Sequence, residues 1–345
     1  MRILLLAPSN YEFSFEICKE LEGKRHIVKF IEDKTFECDY YLSHNNKAKR
    51  ILKYLIGKST KAKNIYWQRM FKDGGELYDY HCDLLLCING YSLCERFFLQ
   101  LKENNPNVRL VYYLWDSCRL YAFHKNFHYF DKCLTFDAKD AKNFQIEYLP
   151  MFWMPVLSDV VISEKPRVFF VGSIHSDRYA ILKRIVRQLD NYRIDYYIKL
   201  YVPSNKIPFL KIRYNINKLF KHENCLNDIY CIRKGKEKAP FITFQPISLE
   251  LFNEELIKSS CIIDIEQPCQ TALAPRFIQA LAYGKKIITT NQWVIKESFY
   301  NPDVISIIDR KQSNIDKKFL FHSIEPTCFK YNDLRIDKWL DHLLK

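Results

Sequence analysis

Two doubly wound α/β units in tandem are what this sequence predicts, on three observations. Short apolar runs alternate with amphipathic stretches, the pattern of repeated strand–helix units. The pattern restarts after a stretch punctuated by Pro150, Pro155 and Pro166. Finally, 345 residues with 48% hydrophobic content exceed the about 100–200 residues of a single domain. The expected layout is a first domain over 1–155, a second over 156–320, and a terminal segment, 321–345, packing back on the first.

In the first unit, Arg2–Ala7 reads as a strand, Ser14–Glu22 as a helix ending at Gly23, and His26–Ile31 as the next strand. Asp83–Asn89 is a strand, Ser92–Glu103 a helix, Val108–Trp115 a buried strand, Lys132–Phe136 a short strand and Ala138–Phe144 a helix. The second unit opens with the strand RVFFVGS from Arg167, then a helix through Asp177–Asp190 with apolar spacing at Ile181, Ile185 and Leu189. Tyr196–Val202, Cys261–Ile265 and Lys286–Thr290 follow as strands, Leu249–Lys258 and Pro275–Tyr283 as helices. In such folds ligands bind beyond the carboxyl ends of the strands, here in a cleft that the two domains face.

Composition excludes several classes. No run approaches the length of a membrane-spanning helix, and the start MRILLLAPSN lacks the apolar core and cleavage pattern of a signal peptide. A cytoplasmic chain is expected, with its 12 cysteines reduced. Cys82 and Cys87, Cys225 and Cys231, and Cys261 and Cys269 are spaced too widely for a zinc site, so no metal is expected. Asp264–Ile265–Glu266 comes too late in the chain for an acidic metal motif and reads as an acidic strand end.

The stretch PCQTALAPRFIQALAYGKKIITTN, Pro268 to Asn291, carries the strongest site signal. Pro275 suits the first turn of a helix and Gly284 the left-handed residue beyond its end. The free N–H groups of that first turn form a natural seat for a diphosphate, and Arg276 adds a bidentate cation. Gln279 lies one turn on, where its amide reaches a sugar hydroxyl. The alternative is an Arg276 that snorkels over the surface and a solvated Gln279.

Gln270–Thr271–Ala272–Leu273 with Arg276, then Ala280–Leu281, Gly284–Lys285–Lys286 and Thr289–Thr290–Asn291, resemble the donor-side motif of bacterial glycosyltransferases with two Rossmann-like domains, the GT-B architecture. The likeness is to transferases of capsular, exopolysaccharide and lipopolysaccharide clusters, the CgeB-like group. Tyr113–Ser117, Phe130–Lys132, Thr135–Asp137, Phe170–Ser173 and Asp177–Tyr179 extend it over most of 105–310. Many retaining members carry Glu-x7-Glu where this chain has Thr271 and Gln279, and a glycine where it has Ala272. Retaining and inverting chemistry both stay open.

The resemblance implies sugar transfer from a nucleotide-diphosphate donor to a glycan or lipid-linked acceptor in surface polysaccharide synthesis. The donor is a substrate and no cofactor is implied. Donor contacts fall on Gly172, Ser173, Arg178, Lys199, Gln270, Thr271, Arg276 and Gln279; of these Arg178, Lys199 and Arg276 are placed to stabilise the leaving diphosphate. Asp116, ending a buried strand, is the candidate base, with His124 as second choice; a buried or helix-capping Asp116 is the alternative. On this reading Arg276→Ala leaves folding intact and Gln279→Glu is tolerated.

The net charge is +13, and Leu42–Lys72 contains no Asp or Glu. KIPFLKIRYNINKLFKHEN places Phe209, Ile212, Ile216 and Leu219 at helical spacing among Lys211, Arg213, Lys218 and Lys221. Both segments point to an anionic membrane surface, at the inner face of the cytoplasmic membrane, or to a solvated helix. Basic residues interleaved with aromatics also suit a nucleic-acid-binding protein, the rival reading, but no nucleic-acid module is present and none is expected as partner.

Overall fold

The computed structural model describes residues 1–9, 12–34, 60–156, 165–204, 210–219, 225–268, 270–323 and 332–345. The chain divides into two compact units, Met1–Pro150 with Ile336–Lys345, and Met151–Arg335.

In the first unit six parallel strands lie in the order β2-β1-β3-β4-β5-β6. They are β1 (Arg2–Ala7), β2 (Ile27–Glu32), β3 (Leu84–Ile88), β4 (Arg109–Leu114), β5 (Lys132–Thr135) and β6 (Glu147–Tyr148). The central strands RILLLA, LLLCI and RLVYYL are buried along almost their whole length, as expected of parallel strands covered by helices on both faces. Around them lie α1 (Phe13–Gly23), α2 (Thr60–Phe71), α3 (Glu95–Asn104), a 3-10 turn at Phe123–Tyr129 and α4 (Ala138–Phe144).

Helix α2 carries the described part of the acid-free basic run, and it is anchored inward. Ala62, Trp67 and Phe71 are buried, and the indole N–H of Trp67 donates to the Ser92 carbonyl at 2.9 Å. Lys63 also turns in, to the Leu93 carbonyl at 3.2 Å. Residues 42–59 of that run lie outside the described residues, as do Lys206, Phe209 and Lys221.

The second unit repeats the scheme in the order β12-β11-β10-β7-β8-β9. Its strands are β7 (Arg167–Ser173), β8 (Asp195–Tyr201), β9 (Ile242–Thr243), β10 (Cys261–Asp264), β11 (Lys286–Thr289) and β12 (Ile305–Ile307). Its helices are α5 (Arg178–Tyr192), α6 (Leu210–Leu219), α7 (Cys225–Arg233), α8 (Leu249–Ile257), α9 (Pro275–Ala282) and α10 (Lys317–Phe321). Starting at β7, the chain winds outward through β8 and β9, then returns to the other side of β7 with β10. That reversal makes β7/β10 the topological switch point, where doubly wound folds take their ligands. In the first unit the reversal falls at β1/β3.

The last helix, α11 (Ile336–Leu344), belongs to the first unit. Trp339 is fully buried, edge-on to Tyr113 at 4.8 Å, and its indole N–H donates to the Pro150 carbonyl at 3.0 Å. Arg109 donates to the Leu344 carbonyl at 2.7 Å and Lys132 to that of His342 at 2.8 Å. Two cations from the sheet thus satisfy the open carbonyls at the negative end of the helix. We expect Trp339→Ala to cost about 3–5 kcal/mol in the unfolding of the first unit, read by denaturant titration. A loss below about 1 kcal/mol, the size of a surface substitution, would show that α11 is an appendage.

Candidate functional site

The second unit gathers its polar chemistry at the switch point. Strand β7 runs out at Gly172 and Ser173, the loop Ile174–Asp177 follows, and Arg178 opens α5. Strand β10 ends at Asp264, and α9 begins with Pro275 at its first position and Arg276 next to it. No acidic residue occupies the first turn of either helix, and no side chain caps either start. Both helices thus place an arginine at the end where their own dipole is positive, a position that favours anions.

The two guanidiniums converge. Arg178 and Arg276 sit 5.5 and 5.1 Å from the centroid of the Phe170 ring. Arg178 donates to the carbonyls of Ser173, at 2.7 Å, and Ile265. Arg276 pairs with Asp264 at 2.8 Å and reaches the Val171 and Ile265 carbonyls at 3.4 Å each. Gly172 lies directly beneath both: a Cβ there would stand 3.1 Å from one Arg178 nitrogen and 3.3 Å from one of Arg276, so either would have to give by a few tenths of an ångström. Among the described residues the buried Nε–H of Arg276 has no hydrogen-bond partner, an open donor in the site.

A third arginine bridges the two loops of the switch point. Arg310, just beyond β12, binds Asp177 through two nitrogens, at 2.6 and 3.1 Å, and also engages Glu266. Thr290 donates its hydroxyl to Glu266. Burial raises the Glu266 carboxyl above its usual range, against the pull of Thr290 and Arg310. His175 reports the combined field: burial first, then Arg178, Arg276 and Arg310, push its imidazole down to about 2. It is neutral at any working pH.

Several expected donor residues have other work. Gln279 is buried, and its amide binds Met154 twice, accepting from the backbone N–H at 2.9 Å and donating to the carbonyl at 2.6 Å. Tyr283, one turn on, accepts from the Val156 N–H at 2.6 Å. The helix face assigned to the ribose thus grips the segment Met151–Val156, and neither surface snorkelling of Arg276 nor solvation of Gln279 describes these side chains. Lys199 pairs in register with Val171, so it leaves the sheet on the face opposite Gly172 and lies over the Tyr197 ring. Thr271 is buried, and its carbonyl and that of Ala272 are held by Asn291 at 3.2 Å each. Gln270 is half-buried in the same loop. Gly284 has φ +61, the left-handed residue past the helix end.

At the first unit's strand ends, Asp116 follows β4 and accepts from Asn89 at 2.9 Å and from the Tyr91 hydroxyl. Asp33, after β2, accepts from Tyr91 N–H, Ser92 N–H and Ser92 hydroxyl at 2.7, 2.8 and 2.7 Å. Burial pushes the Asp33 carboxyl up to about 6 despite those bonds. It fixes the loop that supplies Tyr91 to Asp116. His124 is exposed, its ring stacked on Phe144 at 5.1 Å. Sequence reasoning misses Asp33, His175 and Arg310. Arg310 follows a strand too short to register, and a lone Asp or His carries no local signal of burial. Among the described residues no group of three or more His, Cys, Asp or Glu could hold a metal ion.

No family model and no curated protein matches the chain. Solved structures do. A trehalose-6-phosphate synthase superposes with a TM-score of 0.56 at 9% identity, over 100% of this chain and 98% of the other. The UDP-forming α,α-trehalose-phosphate synthase of Burkholderia xenovorans, in complex with glucose-6-phosphate, gives 0.55 at 8% identity, covering 100% and 99%. The E. coli trehalose-6-phosphate structure bound with UDP-2-fluoro glucose gives 0.53 at 10% identity, covering 100% and 95%. The chain has the two-unit Rossmann-like fold of GT-B glycosyltransferases.

The contacts reverse two expectations about substitutions. Asp264 is fully buried, so Arg276→Ala strands a carboxylate and should cost about 3–5 kcal/mol of stability; Arg276→Lys should cost less. Gln279→Glu sets a carboxylate against the Met154 carbonyl and should cost about 1–3 kcal/mol. Denaturant melts of the purified variants decide it. Wild-type stability in Gln279→Glu is the contrary result, for it would free that face for a sugar.

Proposed function

We propose that the protein is a glycosyltransferase that moves a sugar from a nucleotide-diphosphate donor to a hydroxyl of a glycan or lipid-linked acceptor. The observation that carries this is the pair of arginines, Arg178 buried and Arg276 half-buried, at two helix starts beside Gly172. In the transfer, the bond from the sugar's anomeric carbon to the diphosphate oxygen breaks and a bond to the acceptor oxygen forms. Negative charge grows on the departing diphosphate. Preorganised guanidiniums and helix N–H groups stabilise that charge without reorganising, usually the largest single contribution to such catalysis.

No divalent metal is needed on this reading, because arginines fill its electrostatic role. Gly172 and Ser173 supply the backbone approach, while Gln270 and Thr271 line the loop that leads to Arg276. Gln279 and Lys199 drop out of the donor set, Gln279 because it holds Met154 and Lys199 because it lies over Tyr197 on the other face of the sheet. For the acceptor's proton, should the reaction invert, Asp116 is a better candidate than His124: it is a strand-end carboxylate already fixed by two donors. We propose surface polysaccharide synthesis as the setting of the reaction, a reading supported by the motifs that resemble those of the CgeB-like transferases. We place the protein at the inner face of the cytoplasmic membrane, consistent with its net charge of +13 and a lipid-linked acceptor.

A uridine diphosphate sugar is the first donor to try, since one of the similar structures is bound with UDP-2-fluoro glucose. Present at a hundred times its dissociation constant, the donor should stabilise the protein by about 2.7 kcal/mol, visible as a thermal shift. That shift and turnover should survive a chelator. Loss of both on chelation, with recovery on adding manganese, contradicts the arginine-based account. Salt-sensitive binding to oligonucleotides with no response to any nucleotide sugar contradicts the transferase itself.

A further inference from the structure

Helix α6, Leu210–Leu219, reads LKIRYNINKL and contains no acidic residue. At 3.6 residues per turn, Ile212, Ile216 and Leu219 fall within an arc of about 60°. All three are exposed, by 54%, 49% and 78% respectively. The opposite face is already occupied. Leu210 packs on the second unit's core, Tyr214 stacks on Tyr230 of α7 at 4.3 Å, and Asn217 donates to Asn227 at 3.1 Å. Lys236 covers both tyrosine rings, at 5.8 and 5.5 Å. The helix is therefore held firmly by one face while it offers three large aliphatic side chains on the other.

The charge around that stripe selects its occupant. Lys211 and Arg213 are exposed on its two shoulders, where long cationic side chains reach past an apolar surface to anionic headgroups. A second copy is a poor occupant: facing helices would bring like charges together, and three side chains fall far short of the about 1,200–2,000 Å² that a stable protein interface buries. Ten residues make a helix of about 15 Å, half the thickness of a bilayer's hydrocarbon core. Among the described residues no helix is long and apolar enough to cross a membrane. A helix of this kind lies in the interface.

We propose that α6 is the element that docks the protein on an anionic lipid surface, with Ile212, Ile216 and Leu219 entering the acyl boundary and Lys211 and Arg213 meeting the headgroups. This deepens the membrane placement above and assigns it to the donor-binding unit. It rests on that reading only for the purpose of docking; the lipid contact itself is read without acceptor, and the donor enters only as a control of folding.

The experiment is flotation of the full chain with phosphatidylcholine vesicles that contain or lack phosphatidylglycerol, alongside the Ile212→Ser/Ile216→Ser and Lys211→Glu/Arg213→Glu double variants. Wild type should bind the anionic vesicles at least about tenfold better than the neutral ones. The serine variant should lose about tenfold or more of that binding, with melting temperature and nucleotide-sugar thermal shift unchanged because the replaced groups are exposed. The glutamate variant should lose the preference for anionic lipid. If wild type binds anionic vesicles but both variants do so equally well, α6 is not the anchor while the membrane placement stands. If wild type binds neither, both the anchor and the membrane placement fall. A concentration-dependent dimer that the serine variant dissolves would give the stripe to a second copy and overturn the proposal.

Discussion

Two helices of the second unit carry an arginine in the first turn, at the end where their own dipoles are positive, and both guanidiniums rest on Phe170. Nothing in helix energetics favours that placement: a cation there forgoes about 0.3–1 kcal/mol relative to an anion. The surrounding contacts hold it in place. Asp264 pairs with Arg276, the carbonyls of Ser173 and Ile265 accept from Arg178, and Gly172 leaves the space that any Cβ would fill. The outcome is a cluster of three arginines, Arg276 paired with Asp264 and Arg310 with Asp177 and Glu266, at the one point in the sheet where the strand order reverses. A local rule is broken at a site the fold predisposes to bind ligand, where such violations concentrate.

The two units share an architecture and differ in chemistry at the equivalent place. At the first unit's strand ends stand Asp33, Asn89, Tyr91 and Asp116, joined by hydrogen bonds in which carboxylates accept. At the second unit's stand Arg178, Arg276 and Arg310, with His175 kept neutral among them. Arginines suit an anionic leaving group, and a carboxylate fixed by an amide and a phenol suits the handling of a hydroxyl proton. One backbone plan thus presents two different sets of polar side chains, carboxylates held by neutral donors in one unit and arginine–carboxylate pairs in the other.

Much of the scaffold was legible in the sequence, because parallel strands buried on both faces appear as continuous apolar runs: RILLLA, LVYYL, RVFFV and CIID are recovered with boundaries within a residue or two. The start of α9 was legible too, since Pro275 and Gly284 have backbone reasons to stand where they do. Side-chain destinations were not. Gln279 has the right spacing for a ligand, yet its partner, the backbone of Met154, is 125 residues away in sequence. Lys199 falls on the far face because strand register, not composition, sets which side a residue takes. Arg310 and His175 join the cluster only through tertiary contacts, and Asp33 is a titratable core residue that no motif announces.

His175 supplies the most direct test, for it is buried in the field of all three arginines. Nitrogen-detected NMR of its imidazole, followed through a pH titration with and without pyrophosphate or a nucleoside diphosphate, reads that field. An anion seated among the arginines favours the imidazolium, so the imidazole pKa should rise and its ring-nitrogen resonances should move when the diphosphate binds. If the nucleotide binds and His175 does not respond, the diphosphate lies elsewhere, and the convergence of Arg178 and Arg276 is a structural feature of the second unit alone.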